Sequence, residues 1–119
     1  MKKNYFESVL IFFVLFLSHE VNAQMVYMPD ANLRAKLTFL GYGSCITGDS
    51  IDSSCPSITS ATSLNVMNAS ISNLQGIEVF TALTDFRCNT NSISQLPSLP
   101  LNLQLLDCSS NGQIGRAHV

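Results

Sequence analysis

Between Gln24 and Asn111 the chain contains no histidine; His19 precedes this stretch and His118 follows it. Without an imidazole, Ser/His and Cys/His nucleophilic schemes and histidine-containing zinc sites are excluded there. Basic residues are nearly as scarce. Arg34, Lys36 and Arg87 stand against Asp30, Asp49, Asp52, Glu78, Asp85 and Asp107. No Lys/Arg cluster exists to follow a phosphate backbone, which argues against nucleic acid as a partner, and no basic helix suits a membrane surface. A membrane-spanning run is missing too: the apolar stretch from Val9 to Leu17 falls well short of the ~20 residues that cross a bilayer. These absences point away from an enzyme, a cofactor protein and an integral membrane protein.

What is present begins with an export signal. Lys2 and Lys3, the apolar run and the small residues of Val21-Asn22-Ala23 follow the order of a secretory signal peptide, with cleavage expected after Ala23. The alternative, an uncleaved membrane anchor, is disfavoured by the short apolar run. The expected localisation is secreted or cell surface. The expected organisation is a signal peptide over 1–23, an amino-terminal cap over 24–58, repeats over 59–112 and a non-native tail over 113–119.

Three segments share a pattern: ATSLNVMNASISNL from Ala61, LTDFRCNTNSISQL from Leu83 and LQLLDCSSNGQ from Leu103. Their starts lie about 22 and then about 20 residues apart, within the span of leucine-rich repeats. In Leu64-Asn-Val66, Phe86-Arg-Cys88 and Leu106-Asp-Cys108 the alternation by two puts both apolar side chains on one face of a short strand. The chain then turns on Asn and Ser and returns Ile71 or Ile93 to the same interior. Stacking such units predicts parallel strands sharing a continuous core. Asn91 and Asn111 each follow the inward Cys by three residues, where an amide can donate and accept at a buried bend. The first segment has Ala69 at that place.

In these features, and in ISNLQGIEVFTALTDFRCNTNSISQLPSLP, the sequence resembles bacterial secreted leucine-rich-repeat proteins of the internalin-like and Bacteroidetes kind. The resemblance covers about Ile58 to Asn111. It implies a leucine-rich-repeat solenoid of the α/β class, with short parallel strands, irregular returns and an asparagine ladder at Asn91 and Asn111. Ahead of it, Met28 to Leu40 is expected to form one capping helix, with Asp30 as N-cap and Leu33, Leu37 and Leu40 on one side. Relatives of this kind begin with a similar Pro-Asp-x-Asn-Leu helix.

Cys45 and Cys55 sit ten apart in a Gly, Ser and Asp-rich loop of an exported chain, which predicts a disulfide. The rival reading, a calcium site on Asp49 and Asp52, fails the EF-hand spacing and offers too few oxygen ligands, so no metal is expected. Cys88 and Cys108 occupy equivalent strand positions. Parallel strands stand ~4.8 Å apart, whereas bridged Cβ atoms prefer ~3.8 Å, so both are expected to be buried thiols packing as small apolar residues. A catalytic thiol would need a base beside it.

The side chains between the inward ones are expected to form columns on the concave face: Ser63, Asp85 and Leu105; Asn65, Arg87 and Asp107; Met67, Asn89 and Ser109. Arg87 beside Asp107 could pair across the strands, but exposed pairs of that kind are worth only ~0–1 kcal/mol, so a merely solvated surface is the expected reading. The expected function is a binding module that recognises a protein or glycan through this face. The alternative is the amino-terminal targeting or spacing part of a larger secreted adhesin or enzyme. Gln113 takes the place of Ile71 and Ile93, and Gln113 to Val119 resembles a translated sequencing-library adapter. The sequence is therefore expected to be a fragment, its last strand leaving Leu103, Leu106 and Cys108 open.

Overall fold

The computed structural model describes residues 24–112; the segment 1–23, read from sequence as a signal peptide, and the tail 113–119, Gln113 included, lie outside the described residues. The chain opens with a short strand, β1 (Met25–Tyr27), and then a helix, α1 (Ala31–Leu37). Asp30 begins α1 from an extended conformation, its Oδ1 accepting the Leu33 amide at 2.9 Å. Leu33 and Leu37, one turn apart, both face the core and are fully buried. The regular helix ends sooner than the spacing predicts. Over Thr38–Tyr42 the coil widens into a π-type turn broken by Gly41 at φ 106°. Leu40, immediately before this break, is exposed, unlike Leu33 and Leu37.

Two further strands follow, β2 (Ile46–Thr47) and β3 (Ser50–Asp52). They pair antiparallel with each other, and β1 pairs antiparallel with the other edge of β3, giving the order β1-β3-β2. Val26 and Ile46 therefore flank the fully buried Ile51. A single helical turn, α2 (Pro56–Thr59), starts on Pro56 and leads to the second sheet. That sheet contains β4 (Ser63–Asn65), β5 (Asp85–Arg87) and β6 (Leu105–Asp107), parallel and in the order β4-β5-β6. Leu64, Phe86 and Leu106 are register partners on its inner face.

This architecture corrects the expected solenoid. The described residues form two small three-stranded sheets of opposite type, with the helix α1 and the single turn α2, and not a solenoid behind a lone capping helix. The reason lies in how the chain uses its strands. Three of the six pair antiparallel before the first parallel strand is reached. The remaining three, each three residues long, close over the same interior. Met28, Leu33, Leu37, Cys45, Ile51 and Ile58 from the first part join Leu64, Val66, Ile71, Phe80, Phe86 and Ile93 from the second in one buried cluster.

Four contacts lock the two parts together. Asp30 Oδ2 accepts from the Ser72 amide at 2.9 Å, the Asn73 amide at 2.9 Å and the Ser72 hydroxyl at 3.2 Å. Asn32 Nδ2 donates to the Ser70 carbonyl at 2.8 Å. Gly76, at φ 101°, lets the Ile77–Val79 turn approach so closely that an added Cβ would lie 3.0 Å from both the Tyr27 carbonyl oxygen and Met28 Cβ. Tyr42 also meets Phe80 edge to face, with centroids 5.4 Å apart.

Candidate functional site

The parallel register decides which outer side chains are neighbours. Ser63, Asp85 and Leu105 stand in one row across β4, β5 and β6, and Asn65, Arg87 and Asp107 in the next. Met67, Asn89 and Ser109 follow just past the strand ends. Ser63, Asn65, Arg87, Met67 and Leu105 are exposed, while Asp85, Asn89, Asp107 and Ser109 are half-buried. Two large apolar side chains thus stand on a mostly polar face, Met67 at 38% and Leu105 at 42% exposure.

The polar groups are already engaged within the face. Arg87 does not pair with Asp107. It turns back along its own strand to Asp85, donating from Nε to Oδ1 at 3.2 Å and from Nη2 to Oδ2 at 3.4 Å. This hydrogen bond, then the Asp85 charge, holds the guanidinium pKa above its ordinary value. Asp107 Oδ1 instead accepts from the Ser109 hydroxyl at 2.7 Å and its amide at 3.1 Å. The hydroxyl first and the amide second hold this carboxyl below its usual range, with the more distant Arg87 charge adding a little. Asn65 makes the matching turn contact, its Oδ1 accepting from the Met67 amide at 3.1 Å. Side chains of the middle row therefore stiffen the ends of β4 and β6.

Beneath the face, Asn91 and Asn111 bind the turns of adjacent segments. Asn91 Oδ1 accepts from the amides of Ala69 and Ile71, and its Nδ2 donates to the carbonyls of Val66, Cys88 and Asn89. Asn111 Oδ1 accepts from Ile93, and its Nδ2 donates to Cys88, Cys108 and Ser109. The first segment, with Ala69 in this column, has its turn served from outside by Asp30 and Asn32. The sequence placed Asp30 only as a helix cap and did not single out Asn32. Their partners lie about forty residues away, and no local spacing signals such a contact.

Cys45 and Cys55 form the disulfide, with Cα atoms 5.8 Å apart, closing the base of the β2–β3 hairpin. Cys88 and Cys108 are buried and form no disulfide. Burial, aided by the neighbouring Cys108 and Asp107, pushes the Cys88 thiol up to about 12, so it stays protonated at neutral pH. Asp52 is occupied by Ser54, whose hydroxyl and amide donate to Oδ1 at 2.7 and 2.9 Å. Among the described residues, no group of three or more His, Cys, Asp or Glu side chains gathers that could hold a metal ion, and no helix is long and apolar enough to cross a membrane. Leu103 and Cys108 are buried and Leu106 is half-buried, where the sequence suggested an open end. No family model, curated protein or solved structure matches the chain.

Proposed function

We propose that this chain is a secreted or cell-surface binding module that recognises a protein or glycan through the outer face of the parallel sheet. The observation that carries this reading is the in-register alignment of β4, β5 and β6. It sets side chains from three distant segments into adjacent rows on a backbone braced from below by Asn91 and Asn111. A face whose polar groups are held by Asp85–Arg87 and Asp107–Ser109 loses little conformational entropy on binding. Met67 and Arg87 are of residue types enriched at interfaces, and Leu105 adds exposed apolar area to the same face. The Cys45–Cys55 bridge suits an oxidising compartment, in keeping with the export signal.

The test uses an array of defined oligosaccharides and a panel of purified extracellular proteins, probed with the full chain. Variants Arg87→Glu and Leu105→Asp are compared with Gln75→Ala, an exposed position off the face. Loss of about tenfold or more in affinity for the face variants alone is the expected result. Binding that all three variants retain equally would place the ligand elsewhere and sink the reading.

A further inference from the structure

Asn111 is followed by Gly112, and no other asparagine in the chain precedes a glycine. Such a pair can react with itself. The backbone nitrogen of the following residue attacks the asparagine Cγ, a new C–N bond forms and ammonia leaves. Water then opens the cyclic imide to aspartate or isoaspartate. Overall, an amide and water give a carboxylate and ammonium, with no oxidant or reductant. Glycine favours the attack because no side chain crowds its nitrogen.

The closed fold opposes this reaction. Asn111 is 3% exposed. Its Oδ1 is held by the Ile93 amide at 2.9 Å, and its Nδ2, the leaving nitrogen, donates to Cys88, Cys108 and Ser109 carbonyls at 2.9, 3.1 and 3.2 Å. These contacts fix the amide in the orientation the turn requires and keep it from swinging toward the next backbone nitrogen. Asn91, in the same column, is doubly protected. The next residue is Ser92, and the Ser92 amide already donates to the Ile71 carbonyl at 2.8 Å.

We propose that Asn111–Gly112 is a self-hydrolysing site gated by the closure of β6. It is stable while Asn111 occupies the turn and reactive once the segment opens. After conversion it does not return. A carboxylate at this position has no hydrogen to give to the three carbonyl oxygens, and a buried negative charge would face them directly. Each opening of the last strand that lasts long enough is thus recorded as a permanent loosening of that strand.

The test incubates the full chain, disulfide intact, at mildly alkaline pH in native buffer and in guanidinium chloride. Peptide mass mapping follows conversion at Asn111 and, as an internal control, at Asn91. Conversion at Asn111 is expected to be about tenfold or more slower in native buffer, because it waits for local opening, with Asn91 unchanged over the same period. Native conversion as fast as in denaturant would show that closure is no gate, and absence of conversion in denaturant would remove the site. Amide exchange of Leu105–Asp107 in the converted fraction and in Asn111→Asp then tests the second half: both should exchange faster than the unconverted chain, and unchanged protection would overturn the claim of an irreversible loosening.

Discussion

Asp30 divides its two carboxylate oxygens between two tasks. One starts α1, and the other gathers the amides of Ser72 and Asn73, with the Ser72 hydroxyl, from the turn after β4. Partial burial works against its charge, but the hydrogen bonds from Ser72, Leu33 and Asn73 outweigh burial and hold the carboxyl below its usual value. A depressed carboxylate stabilises the fold above the unfolded-chain value near ~4 and loses that contribution as pH falls through the lower folded value. Asp30→Asn keeps an oxygen for the cap but turns an NH2 group toward two donors. It should cost about 1–2 kcal/mol at pH 7, and the gap from wild type should narrow as acid titrates Asp30 in denaturant melts run down the pH scale. Gly76→Ala tests the other close contact. Its positive φ and the 3.0 Å approach to Tyr27 and Met28 leave no room for a Cβ, so a loss of roughly 1–3 kcal/mol is expected in the same melts. The sequence made the capping half of Asp30 legible, because a cap is a local pattern. The docking half and the Gly76 approach depend on residues far along the chain, and periodicity carries no trace of them.

At the scale of the element, the turns after the three parallel strands share one backbone trait. Asn68, Thr90 and Ser110, each two residues past an inward side chain, all adopt positive φ, at 52°, 59° and 57°. Asparagine tolerates that conformation and β-branched threonine does not. Thr90→Asn, which copies the first turn into the second, should therefore raise stability by roughly 0.5–1 kcal/mol in thermal or chemical unfolding. The reverse effect belongs to Asn91. Asn91→Ala strips partners from the amides of Ala69 and Ile71 and from the Val66 carbonyl. A loss of about 2–4 kcal/mol is expected, with the fastest rise in amide exchange at Ala69 and Ile71. The parallel strands and the Asn91 and Asn111 column could be read directly, because alternation by two and a fixed offset recur three times. The antiparallel sheet could not. Its strands are two or three residues long, β2 and β3 lie in a Gly and Ser-rich stretch, and β3 pairs with β1 on the far side of α1. The partner of Arg87 is illegible in the sequence for a related reason: register places Asp107 beside it, but Asp85 two residues back on the same face is also within reach and offers both oxygens.

At the scale of the whole molecule the question is whether the two sheets melt as one. Their interiors are continuous, since Met28, Leu33 and Ile51 belong to the same buried cluster as Leu64, Phe80 and Phe86. Asp30, Asn32, Gly76 and the Tyr42–Phe80 contact cross the boundary between them. Side chains from both sheets and from the segments around them enter that one cluster, so each part gains burial from the other. A perturbation confined to the first should therefore weaken the second. The Cys45–Cys55 bridge provides one, because it constrains only the β2–β3 hairpin and lies outside the parallel sheet. For a loop of this length, removing it in a Cys45→Ala, Cys55→Ala double variant should cost about 2.5–3 kcal/mol. In a domain of this size that lowers Tm by roughly 10–20 °C. Calorimetry should show a single transition at the lower temperature, and amides of β4 and β5 should lose as much protection as those of β3. Two separate transitions, or an unchanged β4–β5 pair beside a loosened hairpin, would mean that the parallel sheet stands alone and that the shared core contributes little to holding the molecule together.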